Sequence, residues 1–207
     1  MQNRRIMTGT QRKTTRPETG ANPAPNRPRS GSVYLRPLKR TDADAFVAAV
    51  ALSRVLHRPW VYPPASRAAF ERRIKRIAHE PKSSVALVAL RSDDDALIGS
   101  FNISEIIRGP LQQAFLGYYA FAPHAGRGYM REAMPLLLRY AFRRLKLHRI
   151  EANIQPTNQP SLALARSAGF VREGFSERYL KVGGRWRDHE RWAINADQWK
   201  ASQARRS

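Results

Sequence analysis

The sequence predicts an α/β (α+β) sandwich built on one mixed sheet, and three observations predict it. Short runs rich in Val, Ile, Phe, Tyr and Leu recur along the chain, each bounded by turn residues. Between them, apolar residues repeat at helical spacing. The two kinds of segment alternate rather than segregate, so helices and strands must share one core.

Val33-Tyr34-Leu35-Arg36-Pro37-Leu38 reads as the first strand. Thr41 with Asp44 three residues on resembles a capping box, and Asp42 also suits a helix N-terminus. Phe46, Val47, Val50, Val55 and Leu56 then predict one amphipathic helix reaching about His57, stopped by the proline-rich loop Arg58 to Pro64. A second helix is expected from about Ser66 to His79, ending before Pro81. Three strands follow, Ser84 to Leu90, Leu97 to Ile107 and Ala114 to Phe121, with turns at Asp93-Asp94-Asp95 and Arg108-Gly109-Pro110. Ala133, Met134, Leu137, Leu138, Ala141, Phe142 and Leu145 predict another helix. Pro135 inside it, costing about 3 kcal/mol in a helix interior, implies a kink or a short first turn. Arg149 to Ile154 is a strand, and Pro160 opens a short helix ending near Gly169. Val171 to Val182 and Trp186 to Ile194 form a hairpin around Gly183-Gly184.

The chain has 207 residues, 42% of them apolar, which suits one core. Residues 1–31, rich in Pro, Arg, Thr, Asn and Gly, are expected to be a disordered basic tail. The folded domain is expected over 32–199, with a short tail at 200–207. No cysteine is present, which excludes disulfides, thiolate metal sites and a cysteine nucleophile. Five scattered histidines show no helical pairing, so no metal is expected. The longest apolar stretch, Ala45 to Leu52, falls far short of the roughly 20 residues that span a bilayer, and the N-terminus lacks an apolar leader core. A cytoplasmic protein without membrane partners is the expectation. Of the net charge of +21, residues 1–32 carry about +6 (seven Arg or Lys, one Glu), leaving about +15 on the rest. A basic folded domain favours polyanionic neighbours, with ribosomal or pre-ribosomal RNA among the candidates.

The segment Tyr118-Tyr119-Ala120-Phe121-Ala122-Pro123-His124-Ala125-Gly126-Arg127-Gly128-Tyr129-Met130 carries the chemistry: a strand ends, a glycine loop follows and a helix begins. Glycines let the backbone approach a ligand, and free N–H groups at a helix start favour an anion such as a diphosphate. The missing Gly-Lys-Ser/Thr excludes a nucleotide-triphosphate loop, and the glycine spacing does not match the dinucleotide fingerprint. The loop resembles the coenzyme A pyrophosphate loop of GNAT acetyltransferases, Gln/Arg-x-x-Gly-x-Gly/Ala. Ala125 replaces the first polar residue and Met130 the last small one, while Gly128 matches.

Four further motifs resemble, in order, the RimJ/RimL-like branch that acetylates the N-terminal alanine of ribosomal proteins. They are Asn102 to Pro110, His148 to Asn153 leading into Pro156 to Ser161, Ala168 to Gly174, and Gly183-Gly184-Arg185-Trp186-Arg187-Asp188-His189. The resemblance covers about Ser32 to Trp199. It implies the GNAT fold, with a mostly antiparallel mixed sheet splayed in the middle to admit acetyl-CoA. It implies coenzyme contacts from Ala120, Phe121, Ala122, Ala125, Gly126, Arg127, Gly128, Tyr129, Met130, Asn158 and Ser161. Backbone N–H groups of residues 120–122 would face the thioester oxygen. Ser161 would serve as general acid, unless it is only a first-turn hydroxyl and Asn158 only a helix cap.

The acceptor amine must lose a proton, and Glu105, Glu173 or a water are the candidates to take it. Trp60, Tyr62, Tyr179 and Trp186 are candidate walls of a peptide groove. Expected is transfer of acetyl to the N-terminal alanine of a ribosomal protein. The same fold could instead serve a small amine or an antibiotic, or act as a non-catalytic ribosome- or RNA-binding assembly factor.

Overall fold

Strand-forming runs pair wherever their alternate residues can be buried, and among the described residues they form a single seven-stranded sheet. The computed structural model describes residues 31–204; the basic tail expected over 1–31 therefore lies almost wholly outside the described residues, as does 205–207. The strands are β1 (Val33–Pro37), β2 (Val85–Arg91), β3 (Leu97–Ile107), β4 (Gln113–Ala120), β5 (Arg149–Ile154), β6 (Val171–Val182) and β7 (Arg185–Asn195), ordered β1-β2-β3-β4-β5-β7-β6. Only β4 and β5 run parallel, because the connection between them is a helical crossover; the other pairs are antiparallel. The expected mixed, mostly antiparallel sheet is present.

Helices cover both faces. On one, α1 (Ala43–Leu52) and α3 (Arg67–His79) enclose Phe46, Val50, Phe70 and Phe121. Phe46 meets Phe70 at 5.0 Å and Phe121 at 5.4 Å between ring centroids, and burying each such ring contributes about 1.5–3 kcal/mol. On the other face, α4 (Tyr129–Arg139) and α5 (Gln159–Ser167) complete a larger core with Phe101, Leu116, Met134, Leu137, Ile150 and Leu162. Alternation along β4 sends Tyr119 towards the first core and Tyr118 towards the second.

Several local expectations need correction. The single helix expected to reach His57 is broken at Ser53, giving α1 and a separate turn α2 (Arg54–His57). The Ser53 hydroxyl donates to the Ala49 carbonyl and accepts from the Ala122 amide, so this residue ties the break to the loop after β4. The cap is not built from Thr41 and Asp44: Asp42 accepts from the Lys39 amide at 2.7 Å and from the Arg36 guanidinium twice at 2.8 Å, while Asp44 pairs with Arg67. Helix α4 begins at Tyr129, four residues before the first expected apolar position, and its continuation Tyr140–Arg144 is a π-turn. Pro135 lies well inside α4; the carbonyl it leaves without a donor belongs to Arg131, an exposed residue. Beyond 199 the chain is not simply a tail, since α6 (Ala196–Ala204) crosses that boundary and buries Trp199 against Phe142 at 5.5 Å.

Candidate functional site

The register of β4 decides the site. It pairs with β5 only through Gln113, Ala114 and Phe115, opposite Arg149, Ile150 and Glu151. Beyond that point β4 stays with β3 as far as Ala120, and β5 stays with β7 as far as Ile154, so the two central strands part. The gap opens a cleft of about 800 Å³, a volume typical of small-molecule sites.

Strand geometry fixes which backbone groups face it. The Phe121 amide donates to the Ile98 carbonyl at 2.7 Å, so Phe121 faces β3. By alternation, the N–H and C=O of Ala120 and Tyr118 point the other way, into the gap. The Ala120 carbonyl accordingly accepts from His57 Nε2 at 2.8 Å. This corrects the expectation for residues 120–122. The Phe121 amide is bonded to Ile98 and the Ala122 amide to the Ser53 hydroxyl, which leaves the amides of Ala120 and Tyr118 as donors facing the cleft.

At one end, the loop after β4 delivers the chain into α4. Gly126 and Gly128 have φ of +75° and +87°, a region open to glycine at little cost, and Gly128 is the residue that caps α4. Gly126, Gly128, Tyr129, Met130 and Arg131 line the cleft, so the first turn of α4 presents its unbonded amides and positive dipole end there. Met130, unusual for such a loop, packs its sulfur against Gly99 of β3, where any side chain would collide with it. Across the cleft, Asn158 caps α5 by accepting from the Ser161 amide at 3.3 Å, and the Tyr118 hydroxyl donates to the Ser161 carbonyl at 2.9 Å. Burial pushes the Tyr118 phenol up to about 12, so it stays neutral at any working pH.

The other end is made by Leu56, His57, Trp60, Val61, Gln155 and His189. Gln155 Nε2 donates to the Trp60 carbonyl at 3.3 Å, joining the loop after α2 to the end of β5. Both histidines are almost fully buried, and burial holds each below the usual imidazole range. Among the described residues, no Asp or Glu lines the cleft.

Of the residues singled out in the sequence, the structure brings Trp60, Ala120, Ala125, Gly126, Gly128, Tyr129, Met130, Asn158 and Ser161 to the cleft. Others lie elsewhere. Phe121 is core, Ala122 is bonded to Ser53, and Arg127 is exposed on the loop. Glu105 sits in a bulge of β3 beside the end of β4 that is still paired to β5, and its side chain is exposed. Glu173 is bound to the Arg149 guanidinium, which holds its carboxyl below the usual range. Trp186 is exposed, Tyr62 packs against Gly183, and Tyr179 reaches the cleft only through His189, 6.3 Å away between ring centroids. Sequence reasoning missed His57, Gln155 and His189 as cleft residues. Only His189 carried a signal, as the last residue of the Arg187-Asp188-His189 run. Among the described residues, no group of three or more His, Asp or Glu could hold a metal ion, and no helix is long and apolar enough to cross a membrane.

Residues 32–171 match the model of the acetyltransferase (GNAT) domain. A probable N-acetyltransferase of Bacillus subtilis, YjcK, is 37% identical over 169 residues, covering 79% of this chain and 93% of the relative. The [ribosomal protein uS5]-alanine N-acetyltransferase of Escherichia coli is 35% identical over 121 residues, 58% of this chain and 62% of the relative. Among solved structures, Mycobacterium smegmatis RimJ in complex with CoA-disulfide superposes with a TM-score of 0.74 at 28% identity, covering 83% of this chain and 89% of that one.

Proposed function

Because the chain belongs to the GNAT acetyltransferase family, we propose that it moves acetyl from acetyl-CoA to the N-terminal alanine amine of a ribosomal protein. The observation that carries this reading is the parting of β4 and β5 beside the glycine loop, which brings the first turn of α4 and the outward amides of Ala120 and Tyr118 to one cleft. The amides at the start of α4 hold the diphosphate. The amides of Ala120 and Tyr118 receive the thioester oxygen as negative charge develops on it. Asn158 orients the coenzyme arm from the α5 cap, and the Ser161 hydroxyl protonates the departing sulfur. No covalent enzyme intermediate is involved.

A protein N-terminus is favoured over a polyamine or aminoglycoside because no carboxylate among the described residues lines the acceptor end. A polycation would need several to replace its water, whereas Leu56, Trp60 and Val61 offer apolar contact to a small side chain such as alanine. Trp60, which lines the cleft, is the groove wall. The basic surface, including Arg72, Lys75 and Arg76 on α3 and Arg178, Lys181 and Arg185 on the terminal hairpin, suits an acceptor still surrounded by ribosomal RNA.

Intact-mass analysis of ribosomal proteins from cells with and without the gene tests this. One protein lighter by about 42 Da, one acetyl group, is the expected result of deletion. An unchanged set, with acetyl-CoA consumed only when spermidine is offered, would transfer the reading to a small-amine enzyme. No acetyl-CoA binding at all would leave a basic assembly factor.

A further inference from the structure

Acetyl transfer as proposed above needs a group that takes a proton from the acceptor nitrogen, and the cleft offers few. Among the described residues that line it there is no Asp or Glu, and those whose side chains titrate near neutrality are His57, His124 and His189. His57 has both nitrogens disposed of. Its Nε2–H donates to the Ala120 carbonyl, and its Nδ1 is enclosed without a partner among the described residues. His124 belongs to the glycine loop at the coenzyme end, with Nδ1 likewise enclosed.

His189 differs. Its Nδ1 lies 2.9 Å from the Arg187 carbonyl, and a carbonyl can only accept, so Nδ1 carries the hydrogen. The neutral ring therefore has its lone pair on Nε2, the nitrogen left for a ligand. Two strands hold the ring in place. On β7, Glu190 pairs with Ile154, the last residue of β5, which places His189 beside Gln155. On β6, Ser176 pairs with His189 and Tyr179 packs edge-on against the ring. His189 thus stands with Gln155 and Trp60 at the acceptor end, across the gap from the β4 amides.

We propose that His189 is the catalytic base of this enzyme, its Nε2 taking the proton from the acceptor amine. The amine nitrogen forms a bond to the acetyl carbon as the carbon–sulfur bond breaks. One proton passes from nitrogen to Nε2, and the thiolate leaves with a proton from elsewhere in the cleft. The products are the amide and the free thiol, and the imidazolium returns its proton to solvent. Asp188 on the same strand favours the imidazolium. The Arg187 side chain, two residues back on the same face of β7 with its Nε enclosed, opposes it. Tyr179 faces the ring from β6 and His57 stands across the cleft, while Gln155 and Trp60 are neutral. Burial outweighs the Asp188 charge and the Arg187 carbonyl, so the ring is free to accept a proton at neutral pH.

The test compares the full chain with its His189→Gln variant, using a short peptide beginning with alanine and acetyl-CoA. The variant should lose roughly 100-fold or more in kcat, with acetyl-CoA affinity unchanged within about twofold. The acid limb of the wild-type kcat profile at saturating peptide, set by an ionisation below about 6.5 in the bound complex, should disappear, and added imidazole should restore turnover to His189→Ala. Wild-type turnover and an intact acid limb in His189→Gln overturn the assignment while leaving acetyl transfer standing. If the wild-type chain acetylates neither the peptide nor spermidine, the proposed function falls first. Nitrogen-15 NMR then still judges His189, which must be an Nδ1–H tautomer, neutral at pH 7, whose signal moves when alaninamide is added. A ring with the hydrogen on Nε2, or one indifferent to the amine, overturns the proposal.

Discussion

Gly99 stands where β3 passes under the first turn of α4, and replacing it with alanine tests how that turn is held. A Cβ there would collide with the Met130 sulfur and lie 2.7 Å from the Tyr119 carbonyl oxygen, well inside the 3.4 Å at which ordinary contact begins. The Met130 side chain can swing aside, but the Tyr119 oxygen belongs to β4 and cannot move without shifting the strand that forms one wall of the cleft. Overpacking of this kind costs about 1–3 kcal/mol. For a domain of this size each kcal/mol lowers Tm by about 2–4 °C, so Gly99→Ala should melt about 2–12 °C below wild type in calorimetry. Because Met130 is in the first turn of α4, coenzyme A affinity by titration calorimetry should fall as well. Adding Met130→Ala should recover only part of the loss, since the backbone clash remains. A Tm within about 1 °C of wild type, with unchanged affinity, would refute the claim that Gly99 is required by the seating of α4 on β3.

Gly126 has nothing near its missing Cβ, so the cost of substitution there is purely that of a positive φ; Gly126→Val should weaken coenzyme A binding clearly more than Gly126→Asn. Asp42→Ala should destabilise by about 2–4 kcal/mol in urea melts, because it strands the Arg36 guanidinium and the Lys39 amide. Burial raises the Asp42 carboxyl, but Arg36 and Lys39 more than offset this and hold it below its ordinary value. Its stabilisation is therefore present above about pH 3.9 and fades as pH falls through the lower folded value, a slope that Asp42→Asn should flatten. Burial lowers His57, His124 and His189, so below about pH 6.5 the unfolded chain binds protons that the folded chain resists. Tm should fall between about pH 7.5 and pH 5.5, and His57→Gln, which keeps a donor for the Ala120 carbonyl, should remove part of that slope.

What could be read from the chain alone was whatever neighbouring residues settle among themselves. Strand runs, turns, the Asn158 cap, the Gly169 helix end and the Gly126–Gly128 loop are short-range events, governed by side-chain shape and backbone freedom within a few residues. The motif resemblance added the family and its splayed sheet. The placement of Glu105 and the identity of the acceptor-end residues were different in kind. Glu105 looked close to the cleft because it lies on the strand before it, but the antiparallel register of β3 and β4 carries it to the end still paired with β5. His57, Gln155 and His189 belong to separate elements that no local pattern links, and they share a wall only because β5 follows β7 rather than β4 past Glu151. Hydrogen-bond pairing between distant strands decided that, and such pairing is fixed by the competition of whole sheets for partners rather than by any short stretch of sequence.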